Sequence, residues 1–171
     1  MSAPRRLLLD TASLYFRAFF GVPDSVRAPD GTAVNAVRGL MDFISRLVIE
    51  YDPTELVCCW DDDWRPQWRV ALLPSYKSHR VVTEVAGTVP DVEEVPDPLA
   101  IQIPIIVEML AAYGIAVVGH PEMEADDVIG TLATDAQMPV DIVTGDRDLF
   151  QLVDDQARVR VLYTARGVGR H

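Results

Sequence analysis

The chain alternates between short apolar runs and longer amphipathic stretches. Apolar runs with the length of buried strands lie at 6–10, 55–60, 115–118, 140–144 and 159–162. Stretches with helical spacing of apolar residues separate them, at 11–20, 34–51, 98–113, 125–136 and 148–153. This alternation predicts an α/β fold, in which helices cover both faces of a mostly parallel central sheet.

Three segments have weaker patterns. The mixed Arg, Trp and Leu stretch at 64–78 is predicted to be helical on either side of Pro74, and the helix at 98–113 to kink at Pro104. Residues 81–97 hold five acids, two prolines and no base, with no usable period. We expect this insertion to be a mobile loop, and the final residues, 165–171, to form no element.

A length of 171 residues corresponds to a single domain, here 1–171, with a hydrophobic core. The apolar run near the N-terminus is too short for a signal peptide or a membrane span. Cys58 and Cys59 are adjacent and would point to opposite faces of a strand, which argues against a disulfide framework. A reducing, cytoplasmic location is therefore expected, and no membrane partner.

The net charge of −11 argues against a protein that grips the nucleic-acid backbone over a broad surface. It does not exclude a local basic strip. Of the 15 cationic side chains, only Lys77 is a lysine, and it lies three positions before Arg80 on one face of a helical turn. By itself this pair is most simply an exposed basic turn.

Acids follow the predicted strands. Asp10, Asp61 and Asp146 each come directly after a strand, and Glu124, Asp126 and Asp127 begin the helix after the third strand, with Asp148 close behind Asp146. The carboxyl ends of parallel strands share one edge of a sheet, so these acids should converge. Converging carboxylates repel one another, and a fold tolerates this when hard cations lie between them. The sequence therefore predicts a Mg²⁺ or Mn²⁺ site with oxygen ligands.

Structural explanations exist for each group of acids. Asp126 and Asp127 suit a helix N-terminus, where negative charge meets the helix dipole. Asp146 and Asp148 suit a turn and a cap. Spacing alone does not choose among these explanations, but acids at all four places together favour a site. No Cys/His pattern indicates zinc, and no glycine-rich loop indicates a nucleotide site.

The motifs resemble those of the 5′-nuclease family. This family comprises flap-endonuclease-like 5′–3′ exonucleases and includes the N-terminal domain of bacterial DNA polymerase I. The resemblance runs through nearly the whole chain and implies a PIN-like or resolvase-like fold. The motifs on which the resemblance rests are, in chain order, Leu7-Leu-Leu-Asp10, Arg17-Ala-Phe-Phe20, Asn35-Ala-Val-Arg-Gly-Leu40, Trp60-Asp61, Trp68-Arg69, Tyr76-Lys-Ser-His-Arg80, Glu124-Ala-Asp-Asp-Val-Ile129, Thr144-Gly-Asp-Arg-Asp148 and Gln151-Leu-Val153.

The resemblance implies a role for each matching residue. Ligands of a first metal would be Asp10, Asp61, Glu124, Asp126 and Asp127, and ligands of a second metal Asp146 and Asp148. Lys77 and Arg80 would be the catalytic pair on the scissile phosphate. Phe16 would stack on the base beside the cut, and DNA would also contact Arg17, Arg69 and Tyr76. The insertion at 81–97 lies where the family has a helical arch.

The implied function is metal-dependent hydrolysis of phosphodiester bonds at DNA 5′ ends or flaps. RNA primers would be further substrates. The protein would act as a monomer in replication and repair. The family continues into a helix–turn–helix-like element that lies beyond His171, so we expect an incomplete second metal site and impaired activity. Two alternatives stay open at this point: a PIN-type ribonuclease, and a non-catalytic fragment that binds metal or nucleic acid.

Overall fold

The apolar runs form one five-stranded sheet in which every strand pair is parallel. The computed structural model describes residues 4–83, 87, 91–134 and 136–164. Its strands are β1 (Arg6–Asp10), β2 (Glu55–Cys59), β3 (Ala116–Val118), β4 (Val140–Thr144) and β5 (Val159–Tyr163). They lie in the order β3-β2-β1-β4-β5. Each strand was predicted, with ends within one residue of those observed.

Helices cover both faces of this sheet, as predicted. Their bounds are α1 (Thr11–Gly21), α2 (Asn35–Tyr51), α3 (Gln67–Leu72), α4 (Asp97–Ala100), α5 (Gln102–Ala112) and α6 (Ala125–Thr134). One apolar cluster joins α1, α2, α4 and α5 to the sheet and includes Cys58. The other joins α6 and a 3₁₀ helix at Asp148–Leu152 to the opposite face and includes Cys59. The two cysteines therefore lie on opposite faces, and both are buried free thiols.

Helices α1 and α2 pack closely at a glycine. A Cβ atom at Gly39 would lie 2.7 Å from the Cβ of Ala18 and 2.9 Å from a methyl carbon of Val22. These distances are shorter than van der Waals contact, so only glycine allows this approach. The close crossing fixes α1 against the sheet, and α1 begins directly at Asp10.

The order in which the chain adds strands to the sheet reverses between β1 and β4. From β1 the chain continues outward through β2 and β3, and it returns on the other side of β1 to form β4 and β5. In open parallel sheets, ligands bind beyond the carboxyl ends of the strands at such a switch point. In the described part of the chain, no helix is long and apolar enough to cross a membrane.

Two helix predictions were wrong in detail. The helix expected at 98–113 is divided at Ile101, between α4 and α5, and not kinked at Pro104. Pro104 lies in the first turn of α5, where its missing N–H leaves no hydrogen bond unmade. In the 64–78 stretch, α3 precedes Pro74, whereas only a short 3₁₀ helix at Ser78–Arg80 follows it.

The base of the 81–97 insertion is paired. Val82 N–H donates to the Val92 carbonyl at 2.9 Å, and Glu94 N–H donates to the Arg80 carbonyl at 2.7 Å. Val81 and Glu93 form an antiparallel bridge. Because α4 begins at Asp97, the insertion ends in a helix. Residues 84–86 and 88–90, and the terminal segment 165–171, lie outside the described residues.

A buried charge lies away from the carboxyl edge of the sheet. Asp141, in β4, has a side chain that is 1% exposed and pairs with two arginines. Arg5 Nη1 lies 2.6 Å from its Oδ2 atom, and Arg160 Nε lies 2.5 Å from its Oδ1 atom. The ion triad thereby joins the residue before β1 to β4 and β5.

We expect Asp141→Ala to lower the free energy of unfolding by about 3 kcal/mol, because it leaves two arginines without their buried partner. Urea denaturation monitored by circular dichroism measures this change. Asp42→Ala is the matched control, since it removes an exposed pair with Arg38 within α2 and should cost less than about 0.5 kcal/mol. Equal losses in the two variants would contradict a structural role for the triad.

Candidate active site

Asp10 lies at the switch point of the sheet. It ends β1 and caps α1, since its Oδ1 atom accepts a hydrogen bond from Ser13 N–H at 3.2 Å. Its Oδ2 atom accepts from the Thr144 hydroxyl at 2.6 Å, from the end of the neighbouring strand. Burial raises the pKa of Asp10 to about 6, against the lowering effect of these two hydrogen bonds. The negative charges of Asp61 and Asp146 raise this pKa further.

Glu124 is the buried centre of a second group. Its side chain is 3% exposed, two side chains donate hydrogen bonds to it, and a third forms a salt bridge with it. Tyr76 OH lies 2.8 Å from Oε1, Lys77 Nζ lies 2.6 Å from Oε2, and Arg69 Nη1 lies 3.1 Å from Oε1. Burial and the hydrogen bond to Glu124 raise the pKa of Tyr76, so its hydroxyl remains a donor. The negative charge of Glu124 is therefore partly balanced by Lys77 and Arg69.

Asp127 has the structural role that its helix position suggested. Its Oδ2 atom accepts from Glu124 N–H at 3.0 Å, at the start of α6. Both its oxygens also accept from Arg69, at 2.9 and 2.8 Å. The Arg69 guanidinium lies 4.5 Å from the ring centre of Trp68, which supports it from the other side. Asp127 faces the neighbouring groove and is not among the residues that line the central cleft, so its role as a ligand stays a prediction.

Asp61 and Asp126 complete the acids around α6. Asp61 Oδ1 accepts from Ala125 N–H at 2.8 Å, and burial raises the pKa of Asp61 although this bond lowers it. The pKa of Asp126 is raised to about 7, first by burial and then by the charges of Asp10, Asp146, Asp61 and Glu124. Burial is therefore the first cause of these raised pKa values, and the charges of neighbouring carboxylates add to it.

The turn after β4 presents two more acids. Asp146 N–H donates to the Thr144 hydroxyl at 2.9 Å, and Asp146 Oδ1 accepts from Asp148 N–H at 2.9 Å. Gly145 N–H donates to Ser13 Oγ at 3.0 Å, which ties the turn to α1. A Cβ atom at Gly145 would lie 2.9 Å from that oxygen. The turn explanation is thus correct for Asp146, whereas the 3₁₀ helix at Asp148–Leu152 begins after Arg147 and has no side-chain cap. Both acids also line the cleft.

A cleft of about 1230 Å³ joins these groups. All thirteen predicted site residues line this cleft or the groove beside it. Arg69 and Asp127 line the groove alone, whereas Tyr76, Asp126 and Asp148 line both. Side chains that sequence analysis did not select also line the cleft: Ser13, Trp64, Glu93, Glu94, Arg147 and Tyr163. Glu93 and Glu94 belong to the acidic insertion, whose composition was the only available signal. Arg147 lies inside a motif already selected for its acids.

The donor set suits a hard cation. The cleft is lined by eight acids and four bases, and carboxylate oxygens are the ligands that Mg²⁺ and Mn²⁺ prefer. Among residues 4–83, 87, 91–134 and 136–164, no three Asp, Glu, His or Cys residues already stand close enough to hold an ion. The acids therefore surround the cleft without forming a closed cage, and small side-chain movements would be needed to gather them.

The sequence matches a known family over residues 5–170, described as "5′-3′ exonuclease, N-terminal resolvase-like domain". A 5′-3′ exonuclease of Streptomyces coelicolor is 67% identical over 164 residues, which cover 95% of this chain and 54% of the relative. A 5′-3′ exonuclease of Mycobacterium tuberculosis is 55% identical, with 96% and 52% coverage. DNA polymerase I of Mycobacterium bovis is 40% identical, with 96% and 17% coverage. The chain thus spans about half the length of these exonuclease relatives.

Solved structures share the fold. The T5 D15 protein, co-crystallised with metal ions, aligns with a TM-score of 0.61 at 16% identity, covering 95% of this chain and 55% of that one. The T5 5′-exonuclease with bound divalent zinc aligns with a TM-score of 0.61 at 15% identity, with 95% and 56% coverage. At this identity the comparison supports the architecture, and it agrees with the predicted resolvase-like α/β fold.

We expect the metal-free protein to lose stability as the pH rises from about 4 to 7. The pKa of Asp126 is raised from 3.8 to about 7 in the folded state, so the folded chain holds a proton that the unfolded chain has lost. Asp126→Asn should remove the share of this effect that Asp126 contributes and raise the free energy of unfolding at pH 8 by about 1 kcal/mol, discounted because the side chain is partly exposed to water. Thermal unfolding in EDTA at pH 5 and pH 8 measures the change.

Addition of Mn²⁺ should then raise the unfolding temperature of the natural protein more than that of the Asp126→Asn variant, because the cation relieves the same repulsion. Glu108→Gln, at an exposed position of α5, is the control and should respond as the natural protein does. A lower stability of Asp126→Asn at both pH values would contradict the electrostatic explanation.

Proposed function

The chain belongs to the family of 5′–3′ exonuclease N-terminal resolvase-like domains, and on that premise we propose that it hydrolyses phosphodiester bonds at DNA 5′ ends or flaps. The observation that carries this proposal is that the acids and the Lys77–Arg80 pair line one cleft. An acidic cluster alone would indicate only a cation site. Cationic donors beside it are what a phosphate substrate requires.

Two divalent cations, Mg²⁺ or Mn²⁺, are the proposed cofactors. Asp10, Asp61, Glu124 and Asp126 would hold the first, and Asp146 and Asp148 the second. When bound, such a pair would supply an activated water and would stabilise the charge that develops on the phosphodiester oxygens. This chain would contribute six carboxylates as ligands, all held at one edge of the sheet. Metal ions are bound in two T5 structures that share this fold, the T5 D15 protein and the T5 5′-exonuclease.

Lys77 is the proposed catalytic contact to the scissile phosphate. Its ammonium donates to Glu124 Oε2 and, at 3.0 Å, to the Trp64 carbonyl, and it lines the cleft beside the acids. An ammonium is a compact charge that can meet a phosphate oxygen from several directions. Arg80 lines the same wall and would provide a second cation. The pair would hold and orient the phosphate in the cleft beside the acids.

Phe16 and Arg17 form the proposed entrance for the nucleic acid. Phe16 lines the cleft and is stacked on Tyr15 with ring centres 5.3 Å apart, which fixes its ring for stacking on a base. Arg17 lines the cleft too, and its buried Nε atom has no hydrogen-bond partner in the described part of the chain. A buried donor without a partner is costly, so a phosphate or base acceptor would relieve it.

Arg69 and Tyr76 were predicted to contact DNA, and their present contacts suggest a supporting task. Tyr76 donates to Glu124, and Arg69 forms salt bridges with both Glu124 and Asp127. These bonds hold the carboxylate of Glu124 at the edge of the cleft. Contact with DNA stays a prediction for both.

We propose that residues 1–171 form the N-terminal catalytic domain, and that the 81–97 insertion is the arch over the 5′ strand. A role in replication and repair, RNA primers as substrates, a monomeric state and a cytoplasmic location belong to the same proposal. One T5 relative has been crystallised with DNA and metal ions, which supports DNA as the partner.

We expect Lys77→Ala to lower cleavage of a labelled 5′-flap DNA by about 10²–10³-fold, because it removes a charge-assisted donor from the transition state. Cleavage is followed on denaturing gels in Mn²⁺ or Mg²⁺, with EDTA as the blank. Mn²⁺ affinity, from calorimetry, should not fall. Arg46→Ala, at an exposed position of α2, is the matched loss of one positive charge and should leave cleavage unchanged.

The same assay separates the alternatives. Faster cleavage of a matched RNA strand would favour a PIN-type ribonuclease. One calorimetric metal site and no turnover of any strand would favour a non-catalytic binding role. Loss of Mn²⁺ binding together with cleavage in Lys77→Ala would contradict the proposed role of Lys77.

A further inference from the structure

Arg65 is a buried arginine that the proposed chemistry does not use. Its side chain is 7% exposed, and it pairs with Asp91, whose side chain is 9% exposed. Its Nη1 atom donates to Asp91 Oδ2, its Nε atom to the Tyr76 carbonyl at 2.5 Å, and its Nη2 atom to the Pro74 carbonyl at 3.1 Å. One guanidinium therefore binds three acceptors from two separate segments. A buried cation is retained only when its donors are satisfied in this way.

Two of these acceptors lie immediately before Lys77. The Pro74 and Tyr76 carbonyls belong to the turn between α3 and the 3₁₀ helix at Ser78–Arg80. Lys77 itself has φ of 49°, in the left-handed region, which side chains other than glycine adopt at a cost. Such a conformation persists only when neighbouring contacts determine it. Arg65 supplies those contacts to the peptide groups that precede Lys77.

The segment around Arg65 also touches the Lys77 side chain. Lys77 Nζ donates to the Trp64 carbonyl at 3.0 Å. The Trp64 indole N–H in turn donates to the Asp91 carbonyl at 3.2 Å. Trp64 and Arg65 thus hold Asp91 by its backbone and its carboxylate, while they hold Lys77 by its turn and its ammonium. Asp91 lies on the returning side of the 81–97 insertion, three residues before the Glu94 N–H bond to Arg80.

We propose that Arg65 is a positioning residue for Lys77, and that its bond to Asp91 couples the 81–97 insertion to the Lys77 turn. The functional half of this proposal rests on the proposed role of Lys77 at the phosphate. The structural half does not. Loss of the guanidinium frees the Pro74 and Tyr76 carbonyls and lets Lys77 leave its left-handed conformation, so the ammonium loses its fixed place beside Glu124.

The chemistry of the guanidinium makes the proposal specific. Arginine presents five N–H donors in one plane, whereas lysine presents three donors from a single nitrogen. Arg65→Lys keeps the charge for Asp91 and cannot reach both carbonyls as well, so it should restore function only in part. Arg65→Gln loses the charge and most donors. Asp91→Asn keeps Arg65 in place and weakens only its link to the insertion.

The composition of the chain provides a direct probe, since Lys77 is its single lysine. Brief labelling with a limiting amount of an amine-reactive acetyl ester, at fixed pH and without metal, modifies one side-chain amine. Mass spectrometry gives its rate relative to the α-amino group. We expect slow labelling in the natural protein, several-fold faster labelling in Arg65→Gln, and intermediate rates in Arg65→Lys and Asp91→Asn. Arg46→Gln should match the natural protein.

Circular dichroism and thermal unfolding select the variants that are folded at the labelling temperature. If Arg65→Gln does not fold, Arg65→Lys and Asp91→Asn carry the test. An unchanged labelling rate in folded variants would overturn the positioning role, because it would mean that Lys77 keeps its place without Arg65.

Cleavage of the 5′-flap DNA gives the second readout. A positioning role predicts that Arg65→Gln lowers kcat more than it raises KM, and that it has no further effect in a Lys77→Ala background. An equal loss in both backgrounds would overturn the proposal. If Lys77→Ala itself cleaves normally, the proposed role of Lys77 fails, while the labelling rates still judge whether Arg65 holds the turn.

Discussion

Repulsion among carboxylates at the switch point of the sheet is the constraint on which the rest of this structure depends. Asp10, Asp61, Asp126 and Asp146 arrive there because parallel strands end at one edge, and burial makes their mutual repulsion stronger than it would be in water. The fold offsets part of it with backbone and hydroxyl donors, such as Thr144 on Asp10 and Ala125 N–H on Asp61. Burial is the first cause of the raised pKa values of Asp10 and Asp126, and the charges of neighbouring carboxylates raise them further, so part of the repulsion remains.

The cations near this edge are divided between two tasks. Arg69 bridges Glu124 and Asp127 and is stacked on Trp68, so it stabilises the start of α6. The N–H donors of Arg65 are bonded to Asp91 and to two carbonyls of the turn before Lys77. Arg17 has a buried donor without a partner in the described residues, and Lys77 shares its donors between Glu124 and a carbonyl. The cations with the fewest committed donors are therefore those that face the cleft, where a phosphate would enter.

The sequence allowed the fold and the acid edge to be predicted, because both follow from local patterns. Strand runs, helical spacing and an acid directly after a strand are visible within a few residues. The Arg65–Asp91 and Arg69–Asp127 pairs were not predictable, because their partners lie 26 and 58 positions apart and join segments without periodicity. The division of the helix at Ile101 was missed for a related reason: proline was expected to break the helix, yet Pro104 fits the first turn of α5 without cost.

The net charge of −11 and a DNA substrate are compatible only if the sign of the field in the cleft changes locally. Eight acids and four bases line the cleft, so a phosphate backbone would be repelled from it in the absence of bound cations. Divalent ions held by the acids are the largest local charges that such a site can acquire, and they reverse its field. Lys77 would then lose part of its attraction to Glu124 and become available to the phosphate. On the proposed function, cation binding and substrate binding are therefore coupled through one carboxylate, because Glu124 faces both.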